Sequence, residues 1–216
     1  MTNRYDAVLF DLLTALLDSW SLWNAVAGDA ETGRRWRAEY LRITYRTGAY
    51  RPYEDLVAEA AEAIGLKRDI AAQLDARYGE LRPWPGVEQT LSTLKRAGVR
   101  LGLVTNCSDR LARVAANCIG VDVDVLVTAE RAGFYKPDPR PYRLALAEIG
   151  TEPRRCLFVA GSAYDLVGTG KVGLATYWHD RVGMVPPDGA PQPLAHEATL
   201  ETLLPLVTGE DRHAKD

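Results

Sequence analysis

Five short apolar runs recur along this chain, and their alternation with helical patterns limits the fold more than any other feature. They are "YDAVLF" (5–10), "VRLGLVT" (99–105), "VDVLVT" (123–128), "CLFVA" (156–160) and "LATYW" (174–178). Each is apolar or rich in β-branched residues and is bounded by Gly, Asp or Asn, which predicts buried strands of a parallel sheet. Between the later runs lie "PGVEQTLSTLKRAG", "SDRLARVAANCIG" and "DPRPYRLALAEIG", which open on Pro, Ser or Asp and close on Gly. That is helix punctuation, so the repeating unit is strand, helix, strand. The interval from 16 to 83 breaks the rhythm, with helical patterns such as "GRRWRAEYLRITYR" and "YEDLVAEAAEAIG" and no strand pattern. An α/β core of residues 1–15 and 84–216 is expected, with a helical domain of residues 16–83 inserted after the first strand. The Pro-rich stretch "GMVPPDGAPQPLAHE" (183–197) reads as a surface loop before a last short helix.

Charge and cysteine content narrow the function classes. The 26 basic residues are interleaved with 29 acidic ones for a net charge of -3, so no basic stripe marks a nucleic-acid partner. No apolar run approaches the length of a membrane span, and "MTNRYDAV" lacks the regions of a signal peptide, so the expected address is the cytoplasm. Cys107, Cys118 and Cys156 form no CxxC pair, and Cys118 and Cys156 are expected as small core residues. His179 and His196 have no metal-ligand spacing and receive no role.

Ligands of an open parallel sheet bind beyond the carboxyl ends of its strands. The residues there are Asp11, Thr105, Asn106, Ser162 and Asp165, joined by Lys136 in "GFYKPDPRPY". Together they suit a carboxylate nucleophile oriented by a cation and an amide, with a second carboxylate to handle water. Singly, each has a plainer reading. Asp11 suits a turn or cap, Lys136 a solvated loop, Asn106 and Ser108 a helix cap near Asp109, and Asp165 a first helical turn.

Four stretches in order resemble the haloacid dehalogenase superfamily over nearly the whole chain: "VLFD" with Asp11, "LGLVTN" with Thr105 and Asn106, "YKPDPRPY" with Lys136, and "LFVAGSAYD" with Asp165. The resemblance implies a Rossmann-like parallel-sheet core under a helical cap. It also implies chemistry, which the departures divide. Phosphatases of the superfamily carry a second acid two residues after the nucleophile and an acid in "GDSxxD" that helps hold magnesium. Here those positions are Leu13 and Gly161, which removes a general acid and a hard oxygen ligand. Asp11 and Asp165 could still hold a weak magnesium ion.

"FDLLTALLD" and "KPDPRPY" instead look like the L-2-haloacid dehalogenase branch. For that branch the resemblance implies no cofactor, a small 2-substituted carboxylic acid as substrate, and an active-site arginine from a cap helix. That arginine is carried over to Arg37, with Arg34, Arg35, Arg42 and Arg46 as competitors. On a helix Arg37 shares a face with Tyr40, Leu41 and Thr44. The implied mechanism has Asp11 displace halide from the α-carbon, giving an enzyme ester that water held by Asp165 hydrolyses. Lys136 would hold Asp11 ionised and Arg37 would receive the departing anion. The implied substrate contacts are Thr105, Asn106, Leu13, Tyr142, Ser162 and Tyr164, with Leu12, Trp20, Phe134 and Tyr135 adding a water-poor wall. A halide leaving group needs no proton, so Leu13 is harmless to this chemistry.

Two departures bear on substrate. The branch has Gly then Thr where this chain has Thr14 and Ala15, so a hydroxyl is shifted by one residue or lost, and "SSNxxD" is replaced by Ala160, Gly161 and Ser162 before Asp165. Ring-opening attack on a cyclic amino acid, a magnesium-dependent phosphatase with a degraded motif, and a non-catalytic ligand-binding relative stay open as alternatives. The resemblance is also compatible with a homodimer, without locating an interface.

Overall fold

The computed structural model describes residues 3–209. A six-stranded sheet runs in the order β3-β2-β1-β4-β5-β6, and every neighbouring pair is parallel. The strands are β1 (Ala7–Phe10), β2 (Arg100–Thr105), β3 (Val125–Thr128), β4 (Cys156–Ala160), β5 (Ala175–His179) and β6 (Ala195–Glu197). β1 is central and fully buried, which is why its sequence is a continuous apolar run. Alternate side chains feed opposite faces. Val8 and Phe10 join Leu157 and Val159 in one core, while Ala7 and Leu9 join Phe158 and Ala160 in the other.

Helices cover both faces. Between β1 and β2 lie α1 (Ser19–Ala27), α2 (Ala30–Thr47), α3 (Tyr53–Ala63), α4 (Ile70–Ala76) and α5 (Val87–Arg96). Beyond β2 come α6 (Asp109–Asn117), α7 (Ala129–Ala132), α8 (Pro139–Ile149), α9 (Asp165–Gly170) and α10 (Leu203–Thr208). The predicted punctuation works as chemistry. Asp138 caps α8 by accepting from the Arg140 N–H at 2.9 Å, Pro139 occupies the first turn, and Gly150 ends the helix at φ 70°.

Helices α1 to α4 form the insert. The chain leaves the sheet at Leu17 and returns at Pro83, which pair as an antiparallel bridge. Between β1 and this bridge, Leu12–Leu16 forms a single π-helical turn, closed by Leu17 N–H donating to Leu12 O at 3.1 Å. Gly33 of α2 lies against Asn24 of α1, where a Cβ would collide with backbone, so these two helices approach closely. Trp23, Trp36, Tyr40, Tyr53 and Tyr78 are all buried and continuous with the core under β1. Burial of such side chains contributes roughly 1.5–3 kcal/mol each.

One element differs from expectation. The Pro-rich tail ends in edge strand β6, which has three residues and no apolar run to announce it. His196 holds it by stacking on Trp178, with ring centroids 3.9 Å apart and planes 6° from parallel. Cys156 is buried as expected, whereas Cys118 at the end of α6 is only partly so. No helix among the described residues is long and apolar enough to cross a membrane.

Candidate active site

Asp11 follows β1 directly, and its N–H continues the ladder by donating to Val159 O at 2.9 Å. The π turn then curls back over its carboxylate. Oδ2 accepts from Thr14 N–H at 2.8 Å, from Ala15 N–H at 3.3 Å and from the Thr14 hydroxyl. Among the described residues Oδ1 accepts only from Lys136 Nζ, at 2.8 Å. The same ammonium lies 3.0 Å from Asp165 Oδ1, which also accepts from the Tyr142 hydroxyl at 2.6 Å. Asp165 Oδ2 is buried with no partner among the described residues.

Two carboxylates and one ammonium, all buried, cannot titrate alike. Burial alone raises the Asp11 carboxyl, but the Lys136 charge and the hydrogen bonds from Lys136 and Thr14 outweigh it and leave it below the usual range. Burial likewise opposes the Lys136 charge, yet the flanking carboxylates Asp11 and Asp165 raise its pKa. Asp165 goes the other way, to about 6, because burial and then repulsion from Asp11 exceed the pull of Lys136 and the Tyr142 hydrogen bond. Divergent environments therefore separate an ionised carboxylate from one poised to exchange a proton near neutrality.

Across the cavity, α2 presents Arg37. It is 1% exposed, lies over the rings of Trp20 and Trp23 at 5.2 and 5.0 Å, and leaves Nε and Nη1 buried without partners. Its competitors Arg34, Arg35, Arg42 and Arg46 are all exposed. A cation held on aromatic faces with two unspent donors has the chemistry to receive an anion. Tyr40, Leu41, Thr44 and Tyr45 continue the wall, and Leu13, Thr105, Asn106, Ser162 and Tyr164 complete it, enclosing about 40 Å³. That is room for a molecule of a few heavy atoms. Thr105 Oγ1 is a further buried atom without a partner.

Several predicted residues sit differently from their expected contacts. Tyr142 lies behind Asp165 rather than on the cavity wall, because it rises from α8 on the far sheet face, where it fills the space left by Gly168. Asn106 faces the cavity, but its amide grips the Lys136 backbone, accepting from N–H at 2.7 Å and donating to the carbonyl at 3.0 Å. It thus fixes the loop that carries the lysine. Leu12 packs in the core, Phe134 lies under the Arg140 guanidinium at 3.4 Å, and the Tyr135 hydroxyl donates to Arg51 O. None of these three reaches the cavity. Ser108 begins α6 as expected but makes no cap bond, since its hydroxyl donates to Glu54.

Thr14 and Tyr45 escaped sequence reasoning. The π turn brings the Thr14 hydroxyl onto Asp11 despite its altered position, and Tyr45 packs against Tyr164 with centroids 4.7 Å apart and planes tilted by 41°. Gly161 gives the signal that could have found Thr14. A Cβ there would collide with the Thr14 carbonyl carbon and the Ala15 nitrogen, so Gly at 161 and the turn at 14–15 require each other.

Magnesium does not fit this donor set. A hard cation wants about six oxygen ligands, whereas Asp11 Oδ2 already accepts three bonds, the Lys136 ammonium sits on Oδ1, position 161 admits no side chain, and Asp165 offers only Oδ2.

Known proteins resembling this chain include dehalogenases and a phosphatase. It is 30% identical over 224 residues to (S)-2-haloacid dehalogenase 4A of Burkholderia cepacia, covering 96% of each chain. A crystal structure of a dehalogenase superimposes with a TM-score of 0.82 at 30% identity, covering 96% of this chain and 99% of that one. Phosphoglycolate phosphatase of Xylella fastidiosa strain Temecula1 is 31% identical over 176 residues, covering 77% of this chain and 76% of its own. A family model for haloacid dehalogenase-like hydrolases matches residues 5–171, and the chain belongs to that family.

Proposed function

We propose that this protein is a hydrolase of small (S)-2-haloacids that works through an ester on Asp11. One observation supports this above the others. A buried, ionised Asp11 faces a buried arginine with unspent donors, and Leu13 stands where phosphoryl transfer needs an acid.

The two Asp11 oxygens are inequivalent. Oδ2 has three donors and Oδ1 has one, so Oδ1 keeps the more available electron density. Oδ1 forms a bond to the substrate α-carbon as the carbon–halogen bond breaks, and halide leaves with the bonding pair toward Arg37. Attack from behind inverts that carbon. Thr105 and Ser162 are placed to take the substrate carboxylate, and Asn106 keeps Lys136 on Oδ1.

Asp165 then removes a proton from water through its free Oδ2, and the oxygen attacks the Asp11 carbonyl carbon. Negative charge develops on Oδ2, where the Thr14 and Ala15 N–H groups already point. Collapse expels the 2-hydroxy acid as an alkoxide that takes up the proton. Ester formation also deletes the Asp11 charge that raises Asp165, so the base ionises more readily when it is needed.

The test is halide release from (S)-2-chloropropionate, bromoacetate and their (R) counterparts where chiral, with phosphoglycolate and magnesium as the opposing arm. Halide release from the (S) acids, lost in Asp11→Asn, is expected. Phosphate release that depends on magnesium and Asp11, without halide release, would assign the chain to phosphatase chemistry instead.

A further inference from the structure

The π turn that carries the Asp11 donors is itself held from outside. Three successive carbonyls each accept from a side chain on another element: Leu13 O from the Ser19 hydroxyl, Thr14 O from Trp84 Nε1 at 3.0 Å, and Ala15 O from His179 Nδ1 at 2.8 Å. Since a carbonyl only accepts, His179 carries its proton on Nδ1. Trp84 also supplies its own N–H to Leu16 O at 2.9 Å.

The Thr14–Ala15 peptide is the critical unit. Its N–H donates to Asp11 Oδ2 at 3.3 Å, and its carbonyl accepts the Trp84 indole. Gly161 presses on the same peptide and leaves no room for a side chain beneath it. Donation to a peptide carbonyl polarises the peptide and strengthens its N–H as a donor. The Arg181 guanidinium lies over the Trp84 ring, 4.8 Å from its centroid.

We propose that Trp84 is a positioning residue for ester hydrolysis: its indole N–H orients and polarises the Thr14–Ala15 peptide so that Ala15 N–H meets the charge developing on Asp11 Oδ2. This rests on the dehalogenase reading. The Trp84 indole bonds Thr14 O rather than Asp11 and lies outside the cavity wall. Its effect falls mainly on the second half-reaction, because Oδ2 gains charge there and not during displacement by Oδ1.

The experiment compares wild type with Trp84→Phe and with a chain carrying the benzothiophene analogue of tryptophan at 84, which exchanges the N–H for sulfur and keeps the ring. Rapid-quench measurement with (S)-2-chloropropionate separates the halide burst from the steady rate. Both variants are expected to keep the burst rate and kcat/KM while ester hydrolysis slows about threefold to tenfold, so that enzyme ester accumulates and KM falls with kcat. An equal slowing of both half-reactions in the benzothiophene chain, accompanied by a lowered Tm, would make the role structural and overturn the proposal. Unchanged hydrolysis would overturn it as well. Halide release by wild type reports separately on the underlying reading, and its absence removes both.

Discussion

In the proposed reading, Leu13 and Gly161 carry the choice between carbon and phosphorus chemistry by what their side chains lack. Leu13 lines the cavity with no proton to give, and Gly161 lies under the Thr14–Ala15 peptide with no room for a carboxylate. Gly161→Ser is therefore expected to lower stability by about 1–3 kcal/mol, an overpacking cost, and to reduce halide release more than tenfold. Denaturant melts beside the halide assay check both, and a stable, fully active variant would refute the packing argument. The residue scale also sets pH behaviour. In the proposed reaction Asp165 takes a proton from water only when ionised; its carboxyl is raised to about 6, with the Asp11 charge among the causes, so esterifying Asp11 is expected to lower it. The Asp11 carboxyl lies below the usual range, so displacement is expected to be flat with pH while ester hydrolysis loses rate below a limb under about 6. Burst and steady phases measured across the acid range separate the two. Leu13 was legible because it departs from a motif at fixed spacing. Thr14 was not, because one extra residue in a turn moves a hydroxyl by an amount that no residue count reveals.

Helix α2 and the π turn show what elements add. The helical period places Arg37, Tyr40 and Thr44 on one buried stripe, and all three face the cavity. Sequence could list the candidate arginines, yet only the tryptophans of α1 decide among them, since Trp20 and Trp23 receive the Arg37 guanidinium. Arg37→Lys keeps the charge but loses the planar stacking cation, and kcat is expected to fall about tenfold to hundredfold with the displacement burst slowed. Substituting exposed Arg34 or Arg35 is expected to leave the burst unchanged; a burst lost in those variants and retained in Arg37→Lys would assign the anion site elsewhere. The strands of the core were legible as apolar runs because burial on both faces demands them. β6 was not, since an edge strand of three residues is made by pairing and by one stacked histidine.

At the scale of the molecule, the insert is tied to the core at several points. Leu17 pairs with Pro83 and Ala49 with Phe134, Tyr50 N–H donates to Gly133 O and Tyr135 N–H to Gly48 O, both at 2.8 Å. The Tyr40 hydroxyl donates to Asn106 O at 2.7 Å, and Arg110 of α6 pairs with Asp75 of α4. These ties cross the active-site seam, so a wide swing of the insert would break backbone pairing and expose buried rings. The Tyr50 and Tyr135 amides are accordingly expected to exchange with solvent as slowly as amides of the central strands, and fast exchange at both would reveal a freely opening lid. That an insert follows the first strand was legible from the break in strand rhythm. Its attachments were not, because they join residues far apart in sequence. The central claim, a covalent ester hydrolysed at the Asp11 carbonyl carbon, is tested most directly by one turnover of (S)-2-chloropropionate in heavy-oxygen water with enzyme in excess. Mass analysis is predicted to find the heavy atom in the Asp11 peptide and none in the hydroxy acid released. Heavy oxygen in that first product, with Asp11 unlabelled, would mean that water attacks the substrate directly and would contradict the account.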